Sequence, residues 1–466
     1  VKFVKNLKEF FGISYKFSRK FFRILKAEGL RGIKTRLHKF SGDVGQMDEE
    51  FLSLSMNRIY DMPEIKIDKS RPKTVNVLVP AFDFSSISAG FFGVFQAALF
   101  IKRQGFNVRL VMFDNFYFNY QEAKRKFENY PGLETLFDEV EVEYIGERKS
   151  ALRVSPNDTS MATVWYSAYL AEKIQKACDG KPFIYLIQDY ETHFYAGSTN
   201  SILAEQTYKM DYIAMFSTKT LQDYFIAHDI GGITTRQLDY IYYDNCCSSS
   251  LPTYTAFNNQ YNNSHRRKLV FYSRPVVNRN MYELGALVII EAIKRGILKE
   301  DEWDFYGIGL GSASLKLGEN RYLYQMPRMN LKDYMDSISG YDIGITLMAS
   351  PHPSLLPFDL AGSGCVVVTN NCYNKDQAYF DDISGNIISR EPDLYALLDG
   401  IKEAVKKVPD LKTRYENAKN MKFPKTWEET WTEKHHEWIV DKLGYMLIKQ
   451  EEKILKDPIL QVQGVS

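Results

Sequence analysis

Two arginines and one carboxylate-bearing loop are the first residues in this chain whose types and spacing could do chemistry. Ser273-Arg274-Pro275-Val276-Val277-Asn278-Arg279 follows an apolar run that reads as a strand and precedes a helical pattern. Guanidiniums at the strand end and near the helix start can converge on one diphosphate, because planar forks make bidentate, charge-assisted bonds to phosphate oxygens. Two solvated arginines in a surface loop would give the same letters. A second element further on adds to the first: Ser350-Pro351-His352-Pro353-Ser354-Leu355-Leu356-Pro357-Phe358-Asp359-Leu360-Ala361-Gly362-Ser363-Gly364. Pro357 suits a first helical turn, where no amide hydrogen is needed, so the amides around Ser354 to Leu356 are expected to point out of a helix N-terminus as an anion site. Asp359 then offers a carboxylate to a sugar diol. Its bland alternative is an acid placed favourably at a helix N-terminus, worth about 0.3 to 1 kcal/mol.

Between these loops, Trp303-Asp304-Phe305-Tyr306-Gly307-Ile308-Gly309 reads as a strand ending in glycines, and Gly307 is expected to let backbone approach a nucleotide. Tyr324-Gln325-Met326-Pro327-Arg328-Met329 reads as a strand ending in a turn, where Pro327 and Met329 could face a base edge. In the N-terminal half, Gln188-Asp189-Tyr190-Glu191 follows a strand. Its carboxylates can bind or deprotonate an acceptor hydroxyl, or simply form a capping, salt-bridging turn. Trp165 and Tyr166 read as core.

The elements that must position these loops alternate. Strands at 75 to 79, 107 to 112, 140 to 145, 183 to 187 and 211 to 216 are separated by helical stretches at 91 to 104, near 119 to 128, and 160 to 178, with another at 218 to 227. Short apolar strands with crossover helices mean parallel sheets. Periodicity fades over 240 to 266. A second alternation then follows, with strands at 268 to 273, 303 to 306, 321 to 325, 342 to 348 and 365 to 369, and helices at 282 to 295, 331 to 338, near 357 to 362, and 393 to 407. The expected organisation is α/β: a basic helical extension over 1 to 74, a Rossmann-like acceptor domain over 75 to 245, and a linker over 246 to 266. A nucleotide-sugar domain over 267 to 420 and C-terminal helices over 421 to 466, packing back on the first domain, complete it. In doubly wound sheets ligands sit outside the carboxyl ends of the strands, which is where the chemical loops fall.

Composition narrows the partners. A chain of 466 residues with 45% hydrophobic content can support two cores, and a net charge of +1 gives no global attraction to nucleic acid. Five cysteines without metal-ligand spacing, and no DxD metal motif, point to a metal-independent protein in a reducing, cytoplasmic setting. Residues 1 to 42 carry twelve Lys or Arg against two acids, with apolar residues at roughly helical spacing. That pattern fits a helix lying on a membrane surface or one docked on its own domain.

The series of strand with paired cations, strand with GxG, proline turn, and proline-rich loop with an acid resembles the C-terminal half of retaining GT-B glycosyltransferases of the family 4 type. Gln188 to Glu191 with Phe194-Tyr195, Ala162-Thr163 before Trp165, and the 352 to 364 loop are similar to rhamnosyltransferases of bacterial S-layer glycan assembly. The resemblance implies two Rossmann-like domains facing across a cleft and transfer of L-rhamnose from dTDP-L-rhamnose to a rhamnan acceptor. That acceptor would be lipid-linked and met at the inner face of the membrane, with retention and a β-1,2 linkage. It assigns Arg274 and Arg279 to the diphosphate, Asp359 to the ribose, Gly90 to the cleft-facing first loop, and Asp189, Tyr190 and Glu191 to the acceptor. The family's first motif acid is replaced by Pro351, so the sugar contact would fall to His352 or to the backbone of Pro353, Ser354 and Leu355. Rival readings are a GT-B enzyme using UDP-hexose or GDP-mannose, a sugar-nucleotide epimerase, and a non-catalytic glycan-assembly protein.

Overall fold

The computed structural model describes residues 54–82, 89–178, 180–309, 314–327, 329 and 331–456. The basic segment over 1 to 42 and Ser88 of the first loop lie outside the described residues. Among the described residues, no helix is long and apolar enough to cross a membrane.

Strand β1 (Ile65–Ile67) pairs only with β5 (Leu152–Val154). A seven-stranded sheet follows, built from β2 (Val75–Val79), β3 (Val108–Met112), β4 (Glu141–Tyr144), β6 (Thr159–Ala162), β7 (Phe183–Ile187), β8 (Tyr212–Ser217) and β9 (Tyr240–Tyr243) in the spatial order 4-3-2-6-7-8-9. Every pairing in it is parallel. The second sheet takes β10 (Arg267–Tyr272), β11 (Trp303–Ile308), β12 (Leu315–Lys316), β13 (Tyr322–Gln325), β14 (Ile343–Thr346), β15 (Val366–Asn370) and β16 (Ile387–Arg390) in the order 12-13-11-10-14-15-16, and only β12 runs antiparallel.

The two-residue side-chain period explains why these strands read as unbroken apolar runs. Val75, Val77 and Val79 enter one core while Leu78 enters the core on the opposite face. In the second sheet Leu269 and Phe271 point one way and Val270 the other. Parallel strands covered by helices on both faces have no solvent side to mark with polar residues.

The structure departs from the sequence expectations in three places. The stretch read as helix from 160 begins as β6, whose four residues are all buried beside β2, and the helix starts at Trp165. Part of the fading region is β9, which completes the first sheet. The linker over 246 to 266 holds a helix, Tyr254–Asn263. The extension over 1 to 74 is not purely helical, since its described part contains β1 as well as the helix Leu54–Tyr60.

The chain returns from the second sheet to the first. The indole of Trp431 stacks on Phe100, with ring centres 4.6 Å apart, and Ile439 and Leu443 complete the first domain's core. One tail therefore bridges both domains and closes one end of the space between them.

Candidate functional site

β10 ends at Tyr272, and the next loop carries Arg274, whose Nη1 donates to the Tyr272 hydroxyl at 2.9 Å. Tyr272 lines a cavity of about 940 Å3 between the two domains. Gly309, just beyond β11, lines it too. Its φ of +130° belongs to glycine, and a Cβ there would stand 2.7 Å from Arg274 Cγ and 2.8 Å from the Ser273 carbonyl oxygen. The absent side chain makes room for the arginine stem.

Gly307 works differently from the expectation. It lies inside β11, and a Cβ on it would meet the Gln325 amide at 2.4 Å, so the missing side chain accommodates a glutamine of the neighbouring strand. Gly309, not Gly307, borders the cavity.

Pro327, Met329, Ser354, Leu355 and Asp359 all line the cavity. Ser354 adopts a left-handed φ of 66° and sends its amide to His352 Nδ1 at 2.9 Å. The expected set of outward amides is thereby reduced to Leu355 and Leu356, which have no acceptor among the described residues. Asp359 is buried, with Oδ1 accepting from the Ser248 amide at 2.6 Å and Oδ2 from the Tyr334 hydroxyl at 2.6 Å. Burial lifts its carboxyl to about 6 against those two hydrogen bonds. Asp359 thus clamps the interdomain linker to the second domain, and a sugar diol would have to share its remaining lone pairs with these partners.

Asp189 stands at the end of β7 and forms the centre of a second cluster. It accepts from the Ser350 hydroxyl of the second domain, and Arg279 Nε lies 3.4 Å from its Oδ2, within ion-pair range but too poorly aligned to hydrogen-bond. The Arg279 guanidinium sits 4.0 Å over the Phe194 ring. Its first partner is therefore an N-domain carboxylate and ring, not a position shared with Arg274. Lys375, fully buried on the second domain, donates to the Met348 carbonyl at 2.7 Å, and burial pulls its ammonium down to about 8.

His352, Pro353, Tyr190 and Glu191, expected at the site, are not among the residues that line the cavity. His352 is half-buried, and desolvation lowers its imidazole to about 4, so the ring is neutral and receives the Ser354 amide. Pro353 is buried in the same turn. Tyr190 donates its hydroxyl to Glu205 at 2.6 Å and stacks on Tyr208, which makes it a core residue. Glu191 caps the helix Trp165–Ala177 by accepting the Trp165 amide. A carboxyl buried on a helix N-terminus is not presented to an acceptor. Gly90 joins the two clusters: a Cβ there would stand 2.8 Å from Gln188 Oε1, next to Asp189, while its neighbour Ala89 lines the cavity.

Burial drives the Glu191 carboxyl from 4.5 to about 8, with the Trp165 amide opposing. A folded-state value above the unfolded one means the folded protein holds the extra proton, so stability should fall as pH rises from about 4.5 to about 8. Glu191→Gln keeps the acceptor for the Trp165 amide and removes the titration. Its thermal midpoint is expected to match or exceed that of the natural chain near pH 8 and to vary less across that window. A midpoint that drops at pH 8 would show that Glu191 is ionised there.

Tyr272, Tyr334, Asn245 and the tail tryptophans belong to the cavity wall but carry no motif signal. Only the return of the tail brings Trp427 and Trp431 there. Among the described residues, no three His, Cys, Asp or Glu side chains gather as metal ligands would.

Two domain models of one family match this architecture. "WsaF, N-terminal domain" matches residues 74–219 and "WsaF, C-terminal domain" matches residues 267–402, together more than half of the chain. The O-antigen biosynthesis protein RfbC of Myxococcus xanthus is 27% identical over 265 residues, covering 53% of this chain and 18% of that protein. Among solved structures, the pneumococcal O-GlcNAc transferase GtfA in complex with UDP and GlcNAc aligns over 83% of this chain and 99% of its own, at a TM-score of 0.50 and 10% identity. Anabaena Alr3699/HepE in complex with UDP-glucose aligns over 82% and 100%, at 0.49 and 11%. At 10% identity the likeness to GtfA speaks for the fold alone.

Proposed function

Because the chain belongs to the WsaF family, we propose that it is a GT-B glycosyltransferase of glycan biosynthesis that transfers L-rhamnose from dTDP-L-rhamnose to a growing rhamnan chain. The transfer would run with retention and form a β-1,2 linkage. The observation that carries this reading is the interdomain cavity whose second-domain wall combines Tyr272, Pro327, Met329, Leu355 and Asp359, with Arg274 hydrogen-bonded to the Tyr272 hydroxyl. The apolar part of that wall, Met329, Leu331, Leu355 and Leu356, suits the two methyl groups that distinguish this donor, one on thymine and one at C6 of the sugar.

In the reaction the bond from the anomeric carbon to the phosphate oxygen breaks, and a bond from that carbon to the acceptor oxygen forms. The acceptor hydroxyl proton passes to the leaving phosphate, so no strong protein base is needed. Stabilising charge on the departing diphosphate is the main demand. Arg274 and the free amides of Leu355 and Leu356 are the groups proposed to meet it without a metal. Asp189, fixed by Ser350 and Arg279, is proposed to position the acceptor at the domain junction. The basic segment over 1 to 42 would hold the enzyme against the inner membrane surface that carries a lipid-linked acceptor.

Donor choice is tested by thermal shift with dTDP-L-rhamnose, UDP-glucose and GDP-mannose at one common concentration, set at about a hundred times the dissociation constant of a true donor, where stabilisation reaches about 2.7 kcal/mol. The rhamnosyl donor is expected to give the largest shift and, with a short rhamnoside, a product heavier by one rhamnosyl unit. A larger shift and product with another nucleotide sugar would replace the donor assignment.

A further inference from the structure

The cavity continues beyond the donor wall onto a surface made by the first domain and the returning tail. Phe92 and Trp427 lie nearly parallel there, 15° apart with centres 5.9 Å apart, and Tyr130 and Trp431 extend the aromatic face. Two residues of this wall each hold a polar atom buried from solvent with no hydrogen-bond partner among the described residues: Asn245 Oδ1 and Trp431 Nε1. Asn245 is only 6% exposed, and its Nδ2 is used by Ser217 at 2.9 Å. A Cβ at Gly93 would stand 2.6 Å from that unpaired Oδ1. An unsatisfied buried polar atom is costly, so a small side-chain shift that brings this acceptor or this donor to the cavity would be favoured by a ligand group able to serve both. A sugar hydroxyl is such a group.

We infer that this wall, formed by Phe92, Tyr130, Asn245, Trp427 and Trp431, is an acceptor subsite. It stacks the apolar face of a pyranose ring and engages its hydroxyls, behind the hydroxyl that receives the transferred sugar. The inference rests on the glycosyltransferase reading of the same cavity. Aromatic faces alone would also accept a lipid chain. The unpaired Asn245 and Trp431 atoms, and the charged Arg103, Glu134, Lys425 and Glu428 around the wall, favour a polyhydroxylated ring instead. The subsite also gives the tail a function: the residues that bridge the domains complete the acceptor site, so the second domain's C-terminal continuation helps set acceptor length.

The test is calorimetric titration of a synthetic rhamnose trisaccharide into the full chain without donor, with dTDP titrated separately. Trp427→Ala and Tyr130→Ala are each expected to weaken trisaccharide binding by about ten-fold, the scale of one lost aromatic contact, and to raise the acceptor KM, with dTDP affinity unchanged. Trp427→Phe restores most of the affinity, which separates loss of the ring from loss of the fold, and thermal midpoints check folding directly. Wild-type trisaccharide affinity in both alanine variants, or no trisaccharide binding by the natural chain, overturns the subsite. Failure of dTDP to bind while the trisaccharide binds would instead count against the donor reading alone.

Discussion

Arg274→Ala should lower transfer from dTDP-L-rhamnose by about 10²- to 10³-fold, the range seen when one donor to a developing charge is removed from a closed site. Departure of the nucleotide places negative charge on the phosphate oxygens, and the Arg274 guanidinium donates to the hydroxyl of Tyr272, a residue of the cavity lining, its one side-chain hydrogen bond among the described residues. Its other donors are not committed to the fold. The side chain is half-buried, and among the described residues no carboxylate pairs with it, so its removal should cost little stability, within about 1 kcal/mol. The expected signature is therefore a collapse in kcat/KM and weaker dTDP binding by calorimetry, at a nearly unchanged thermal midpoint. Arg274→Lys keeps the charge without the planar fork and should recover only part of the loss. Wild-type turnover in Arg274→Ala would take the residue out of the donor site. A large fall in midpoint would show that the Tyr272 contact is structural instead.

What could be read from the sequence follows a physical line. Strands such as β2 and β10 are marked by local composition, because a parallel strand buried on both faces must be apolar throughout. β6 escaped notice because Thr159 and Ser160 are polar and only the neighbouring strands bury them. On the site, the turn chemistry of Pro327 and the Ser354 loop depends on local residue type, so those positions could be found. Side-chain partnerships could not. Nothing local distinguishes Gly307, filled by Gln325, from Gly309, which opens on the cavity. Nor does sequence reveal that Asp359 is held by Tyr334 and Ser248, or that Arg279 faces Asp189 across the domain boundary. Charges tied by long-range contacts need the tertiary structure. The aromatic tail shows the same limit at larger scale: Trp427 and Trp431 stand out as residues, but their place on the cavity is set by a chain return.

Asp189→Ala should abolish most transfer while leaving dTDP binding intact, because the donor wall belongs to the second domain and Asp189 to the first. The carboxylate accepts from Ser350 and faces Arg279 at 3.4 Å, and buried Lys375 feels its charge. Taking it away leaves two cations at the domain junction without their acid. Breaking a fully buried pair costs about 3 to 5 kcal/mol; Arg279 keeps partial access to water, so the lower end or somewhat less is expected here. The thermal midpoint should fall accordingly. Asp189→Asn separates geometry from charge. The amide oxygen still accepts from Ser350 and the Tyr190 amide, yet it no longer neutralises Arg279. If charge balance holds the domains in their working arrangement, Asp189→Asn transfers as poorly as Asp189→Ala but melts closer to the natural chain. If positioning of the acceptor through hydrogen bonds dominates, the asparagine variant recovers activity. Loss of dTDP binding in either variant would contradict the division of labour between the domains, since it would place the nucleotide against Asp189 and not on the wall of Met329, Leu355 and Asp359.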